Sequence, residues 1–205
     1  MGNIGTRRAG ASAGWLLVVG MAGPAVAATD YAVSGSATFN GNASALGEGQ
    51  FLGSSYTSAT GVIGAGTFKF QGAGVGNAGT SLTYHLDQSI ASAGQVGADG
   101  LAALADASMR LTVVGLTLSG TPRAVGTDCV FEPIHIVLDG NGSASGLELS
   151  ATGFSIAPID PNACNGFATA INNLIAGNAN SIALRVEGNF SPPGTIFVAG
   201  FESVR

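Results

Sequence analysis

The residues that could do chemistry are few, and most of them lie in one stretch, IHIVLDGNGSASGLELSATGF, residues 134–154. It holds His135 and Asp139, a base and an acid that a hydrolase would combine with a nucleophilic serine. The strained serine turn Gly-x-Ser-x-Gly is missing, because residues 142–146 read Gly-Ser-Ala-Ser-Gly. The other histidine, His85, alternates with serine, threonine and aspartate as a solvated strand residue does. We therefore predict no catalytic residue and expect the protein not to be an enzyme.

The same stretch has the beginning of a calcium-binding loop. Asp139, Asn141 and Ser143 would place oxygen ligands at alternating positions. The pattern then fails, because Ala144 occupies the position of the obligatory glycine and Ser150 that of the bidentate glutamate. Phosphate-binding glycine loops, zinc motifs and haem motifs are also missing from the sequence. We predict neither a metal site nor a bound cofactor.

The chain has two cysteines, Cys129 and Cys164. An even number of cysteines in an exported protein favours a disulfide, and this one would close a loop of about 35 residues. The alternatives are a metal-binding pair and a free nucleophile. Neither cysteine has Cys or His neighbours at ligand spacing, so we predict the disulfide Cys129–Cys164.

Apolar residues recur with a period of two along most of the chain. Residues 31–39, 82–86 and 182–186 each place an apolar row on one face and polar groups on the other, as half-buried antiparallel strands do. Residues 130–139 alternate in the same way and are followed by Asp-Gly-Asn-Gly, a turn-forming sequence. The stretch quoted first is therefore interpreted as a β-hairpin that turns at residues 139–142, with a loop that extends over residues 143–146 before the return strand begins at Leu147.

Two strands change phase midway, beside Gly115 and beside Gly153. A slip of one residue exchanges the faces of a strand, so we predict β-bulges at both places, which help a sheet to curl. A short helix is predicted at about residues 165–177, with Asn165 at its start, and a weaker second helix over residues 99–107. The predicted fold is mainly β: an antiparallel sandwich or curled half-barrel, with the short helix packed on the sheet or capping it.

The beginning of the chain has the pattern of a secretory signal peptide, which we assign to residues 1–28. Arg7 and Arg8 precede an apolar stretch, and small residues at 25–27 fit a signal-peptidase site. An uncleaved anchor helix is the alternative, and the adjacent arginines leave open the general or the twin-arginine route. Residues 29–191 are predicted to form one β-rich domain.

The end of the chain, residues 192–205, is predicted to be a separate tail that begins with Pro-Pro-Gly. Residues 196–202, Ile-Phe-Val-Ala-Gly-Phe-Glu, resemble a short Ile-Phe-x-x-Gly-Phe-Glu tail on many unrelated exported proteins of some gammaproteobacteria. The usual form has aspartate where this chain has Ala199. The resemblance implies export from a Gram-negative cell and no activity; a plain terminal strand is the alternative.

Composition narrows the function further. The chain has seven basic and twelve acidic residues and a formal net charge of −5, and only 9% of its residues are charged. The bases are scattered, so nucleic acid and anionic membranes are not expected partners. The leading hypothesis is an exported, non-enzymatic β domain with a structural, surface or envelope role, located in the periplasm or secreted. The alternatives are a carrier of an apolar ligand such as a lipid and a small outer-membrane barrel.

Overall fold

The protein is described by a computed structural model that covers residues 27–194. The predicted signal peptide, except for its last two residues, and the tail motif at residues 196–202 lie outside the described residues. Within residues 27–194, the structure has no helix with the length and apolar character that crossing a bilayer requires.

Strands dominate the described chain and form one antiparallel sheet. The strands are β1 (Thr29–Phe39), β2 (Asn42–Ser54), β3 (Tyr56–Thr57), β4 (Val62–Asn77), β5 (Thr80–Gln88), β6 (Ser92–Val96), β7 (Leu101–Leu118), β8 (Thr121–Arg123), β9 (Val130–Ser143), β10 (Gly146–Ile156) and β11 (Gly177–Val186). Eight of them close into a barrel in the order β2–β1–β11–β10–β9–β7–β5–β4, and β4 pairs with β2 to complete the wall. The short strands β3, β6 and β8 pair at the rims. The prediction of a mainly β, antiparallel, curled fold with one short helix is confirmed, and the curl is complete.

The period of two in the sequence becomes the inner and outer faces of the barrel. In β11, Ile182, Leu184 and Val186 are buried, while the alternating Ala183 and Arg185 are exposed. Every barrel strand repeats this arrangement, with apolar rows inside and mostly Ser, Thr, Ala and charged residues outside. Burying apolar side chains is the main favourable term in folding, at about 25 cal/mol per Å². The alternation therefore both forms the strands and selects the face that turns inward.

Large side chains fill the barrel. Phe39 of β1 and Tyr84 of β5 come from strands three places apart in the wall, and their rings meet with centroids 5.6 Å apart. Phe51 and Phe68, which are register partners on β2 and β4, stack at 4.4 Å. An eight-stranded barrel has an interior just wide enough for side chains to fill. The largest fully buried side chains are Tyr84, Phe39, Phe51, Phe68, Phe70, Phe131 and Phe190.

Both predicted bulges are confirmed. The register of β5 on β7 slips between Thr83 and Tyr84, which leaves Val114 as the extra residue next to Gly115. The pairing of β10 with β11 skips Gly153, whose φ of 72° lies in the left-handed region that glycine adopts readily. Bulges bend and twist a strand, which a closed wall requires.

The predicted helix forms in two parts, a 3-10 turn at Cys164–Gly166 and the helix α1 at Ala168–Ile175. The predicted start at Asn165 is wrong: Asn165 is left-handed, with φ 55°, and Phe167 holds the N-cap position. α1 covers the barrel end that contains the β1–β2 turn, where Asn40 Nδ2 donates to the carbonyl oxygen of Asn173 at 2.9 Å. The apolar side of α1 is buried at Ala168, Ile171, Leu174 and Ile175.

The second predicted helix, at residues 99–107, is wrong. Residues 101–107 belong to β7, which lies between β6 and β9 in this part of the wall. Alanine favours helices in isolation, but propensity is a weak preference that tertiary pairing overrides. Here Ala102, Leu104 and Ala107 supply an inward row for the barrel.

The hairpin of β9 and β10 forms, and the chain reverses within the predicted loop at residues 143–146. The turn predicted at residues 139–142 is wrong, because these residues stay in β9. β9 continues to Ser143, and the chain reverses at Ala144 and Ser145. Gly140 and Gly142 do not form a turn; they allow other segments of the same chain to pack closely against β9. A Cβ on Gly140 would lie 1.7 Å from the carbonyl oxygen of Glu148 on β10.

Replacing a core phenylalanine tests the packed interior. Phe68→Ala should lower the free energy of unfolding by about 3–5 kcal/mol, because it removes a buried ring and leaves a cavity. The matched control is Ile90→Ala, at a side chain that is 65% exposed, and it should change the value by less than about 0.5 kcal/mol. Equilibrium urea unfolding measures both variants, and equal losses would contradict a packed interior.

Candidate functional site

The two histidines lie on different strands, with β7 between them. His135 is exposed on β9, and its Nδ1 lies 2.8 Å from Asp106 Oδ2 on β7. Its expected neighbour Asp139 shares its outward row but forms no hydrogen bond with it in the described structure. His85 is half-buried on β5. Within residues 27–194 no hydroxyl group is hydrogen-bonded to either ring, so the structure brings together an exposed ion pair and no nucleophile.

The three oxygen-bearing residues of the calcium-like pattern do not converge. Asp139, Asn141 and Ser143 follow one another along the outer row of a straight strand. Alternate residues of a strand are about 7 Å apart, whereas calcium holds its ligands at about 2.5 Å. Among the described residues, no group of three His, Cys, Asp or Glu side chains is close enough to hold a metal ion.

The wall of the barrel is open between β9 and β10. The two strands pair only next to their turn, where residues 139–143 lie opposite residues 146–150. Beyond that point, residues 130–138 pair only with β7 and residues 151–156 only with β11. We call this opening the split. No backbone hydrogen bond in the described structure crosses it.

The predicted disulfide forms and closes the far end of the split. Cys129 directly precedes β9, and Cys164 belongs to the turn that leads into α1. Both residues are fully buried. Next to the bridge, the backbone N–H of Cys164 donates to Asp128 Oδ1 at 3.2 Å. The covalent bond thus joins the two sides of the wall where strand pairing is missing.

Two cavities lie along the split, with volumes of about 630 Å³ and 570 Å³. Both are lined by Pro133 of β9 and by Ile156 and Ala157 on the opposite side. The larger one is also lined by three acidic residues and by no lysine or arginine. These acidic residues are Asp128, Glu132 and Asp160.

The free edge of β9 presents backbone groups to the split. Gly142 N donates to the carbonyl oxygen of Gly100, at the start of β7, so the even-numbered residues of β9 point toward β7. Backbone groups alternate in direction along an antiparallel strand. The N–H and C=O groups of His135 and Val137 therefore face the split. Pro133 faces it too, but has no N–H to offer.

A further concavity, of about 850 Å³, lies on the outer face of β1, β2 and β4. Within the described structure its long polar side chains form no side-chain hydrogen bond or ion pair. Such side chains are common on exposed sheets, so they indicate a particular ligand less specifically than the acidic lining of the split does. The polar residues concerned are Glu48, Gln50, Lys69, Gln71 and Glu187.

Of the buried polar side chains in the described part of the chain, Tyr84 is the one with an ionisable group. Ser44 Oγ donates to the carbonyl oxygen of Gly74 at 2.8 Å, so the Tyr84 hydroxyl donates to Ser44 Oγ at 2.5 Å. Burial raises the pKa of Tyr84 to about 12, and the bond to Ser44 opposes part of that rise. The pair satisfies a buried hydroxyl group and leaves no reactive phenolate at neutral pH.

The sequence interpretation missed the split. Periodicity shows which face of a strand is buried, but it does not show which neighbour the strand pairs with or for how long. The single local signal was Pro133, since a proline inside a strand indicates an edge position or a bulge.

Comparison with known proteins assigns no family. The chain matches no protein-family model, no curated protein and no solved structure. The barrel, the split and the surface chemistry of residues 27–194 therefore carry the function proposed below.

Because of the buried Tyr84, the free energy of unfolding should decrease at alkaline pH. The pKa of Tyr84 is about 12 in the folded protein and about 10 when unfolded, so its contribution is complete below pH 10. It is lost as pH rises toward 12, which should lower the free energy of unfolding by about 2–3 kcal/mol. Urea unfolding at pH 9 and pH 11.5 measures most of this loss.

The matched variant for this test is Tyr84→Phe. It should lose about 1 kcal/mol at pH 7, because a hydrogen bond is removed, and its further loss at alkaline pH should be smaller than in the unchanged protein. An identical alkaline loss in both proteins would contradict the role assigned to Tyr84.

Proposed function

We propose that the protein is an exported, non-enzymatic β-barrel domain that acts through its outer surface as a structural or binding component of the cell surface or envelope. The observation that carries the proposal is the filled interior. The rings of Phe39 and Tyr84 meet inside the barrel, and buried side chains like these fill its lumen. A substrate site is normally a concave pocket of about 300–1,000 Å³ with converging polar groups. The concavities described above lie on the outside, so recognition belongs there.

The composition of the outer surface supports a recognition role. Its outward rows are small and polar, with ion pairs such as Arg110–Glu132 at 3.3 Å and Arg185–Glu148 at 2.7 Å. The His135–Asp106 pair is likewise exposed on both sides. These pairs join neighbouring strands and contribute little stability each. Each of these three pairs joins neighbouring strands, and among the described residues no three His, Cys, Asp or Glu side chains form a cluster.

The disulfide supports the extracytoplasmic part of the proposal. Cys129 and Cys164 bond in the fold, and structural disulfides persist in oxidising compartments such as the periplasm and the extracellular space. The signal-peptide pattern at residues 1–28 points in the same direction.

No observation on the described chain favours the other two hypotheses. A carrier of an apolar ligand needs interior volume, and here buried aromatic rings occupy the interior. A barrel in a lipid bilayer needs an apolar outer band about 25 Å tall. The outer rows here contain residues such as Asp87, Lys69 and Arg110, which are register neighbours on three adjacent strands.

Fractionation of a Gram-negative cell that expresses the full chain tests the proposal. We expect a shortened protein in the extracytoplasmic fractions, with both cysteines protected from alkylation before reduction. The control is Leu16→Asp/Leu17→Asp, which interrupts the apolar stretch of the predicted signal and should leave the protein in the cytoplasm with both thiols reactive. Finding the unchanged chain in the cytoplasm, unprocessed and with free thiols, would refute the proposal.

A further inference from the structure

We propose that the split is the docking site for an extended, basic segment of a partner protein, which adds as a strand along the free edge of β9. The inference deepens the surface role proposed above and rests on it for the meeting of the two proteins outside the cytoplasm. Four features carry it: the free backbone groups, the adjacent space, the acidic lining and the position of the split on the barrel.

The backbone of β9 selects the chemical class of the ligand. His135 and Val137 together offer two N–H donors and two C=O acceptors to the split. Only an extended polypeptide backbone has alternating donors and acceptors at the matching spacing, as in other cases of strand addition. The row of free donors ends at Pro133 on the N-terminal side, because proline has no N–H. It ends at Asp139 on the C-terminal side, because Asp139 pairs with Ser150 of β10. The edge therefore fits a short segment of about three to five residues.

Space for such a segment lies beside this edge. A new strand lies about 4.8 Å from its neighbour, and the two cavities lie beside β9 from Val130 to His135, between it and the opposite side of the split. Ile156 and Ala157 form the apolar part of that opposite side. Val137, whose side chain is 59% exposed, provides an apolar contact for a cross-strand neighbour.

The charge of the lining selects a basic partner. Asp128, Glu132 and Asp160 line the larger cavity, which has no basic lining residue. Arg110 binds Glu132 from β7, which leaves Asp128 and Asp160 without an ion pair among the described residues. Opposite charges across an interface steer association and stabilise the bound register. A lysine or arginine at an end of the segment would meet these carboxylates.

The same charges disfavour a second copy of this chain, because pairing two β9 edges would bring the acidic residues of both copies together. The described ends of the chain also lie away from the split. The described chain begins next to β1, where Thr29 is paired with Ser54, and it ends at Gly194, after Ser191 accepts a hydrogen bond from Tyr56. Both places lie at the barrel end opposite to α1, whereas the split opens toward α1.

Two synthetic peptides test the proposal: acetyl-Lys-Thr-Val-Thr-Lys-amide and its counterpart with glutamate in place of both lysines. Each is titrated at low salt into the purified, disulfide-bonded protein, and amide hydrogen exchange is followed by NMR. We expect the basic peptide to slow exchange at His135 and Val137, which its backbone would cover. The acidic peptide should leave these two amides unchanged.

Two substitutions sharpen the test. Val137→Pro removes an N–H that faces the split and keeps the hydrogen bonds between β9 and β7. It should weaken binding of the basic peptide at least about fivefold. Val137→Thr is the matched comparison, because it keeps the N–H and a β-branched shape and loses only part of the apolar contact. It should weaken binding clearly less than Val137→Pro does, and equal weakening would contradict the role of the N–H. Asp160→Asn should weaken binding about two- to threefold at low salt and have no effect at high salt.

Several outcomes would overturn the proposal. These are unchanged exchange at His135 and Val137 with the basic peptide, or equal binding of the acidic one. Protection without peptide that rises with protein concentration would identify a second copy as the occupant. Protection that disappears when residues 195–205 are deleted would identify the chain's own end. If Val137→Pro does not fold by circular dichroism, Asp160→Asn and the acidic peptide decide. Binding is measured on purified protein, so it fails or succeeds independently of the fractionation experiment.

Discussion

The bond between Cys129 and Cys164 holds the barrel together where its hydrogen bonds stop. β9 and β10 share only a short ladder beside their turn, and beyond it the two halves of the wall are joined through the disulfide, the connection from β10 and α1. Closing a loop with a sequence separation of 35 residues is worth about 3–4 kcal/mol on the chain-entropy model. Domains of this size are stable by about 5–15 kcal/mol, so this single bond is a substantial part of the total.

The split and the filled interior are two consequences of the same construction. β9 and β10 diverge toward the barrel end that α1 covers, and the buried Ile171, Leu174 and Ile175 of α1 add to the core there. The divergence leaves backbone groups of His135 and Val137 facing outward without a neighbouring strand. Proteins usually protect such edges, and Pro133 protects part of this one. The remainder is open and lies next to the acidic side chains that line the larger cavity.

The sequence predicted what depends on neighbouring residues and missed what depends on distant ones. Strand faces, the bulges at Gly115 and Gly153 and the disulfide all have local or compositional signals. Residues 99–107 were interpreted as a helix because alanine favours one locally, whereas their place between two strands decided otherwise. Residues 139–142 were interpreted as a turn because glycine allows one, whereas Gly140 is required by the close approach of β10. The split has no sequence signal beyond Pro133, because the end of a ladder is set by both strands.

Hydrogen exchange in the presence and absence of the disulfide tests this account most directly. Cys129→Ala/Cys164→Ala should lower the free energy of unfolding by about 3–4 kcal/mol. Its amide exchange should rise first in residues 130–138 and in α1, while the β1–β2–β4 side of the barrel keeps its protection longer. If the variant loses less than about 1 kcal/mol, or if its exchange rises uniformly around the barrel, the disulfide does not hold the split wall and the account is contradicted.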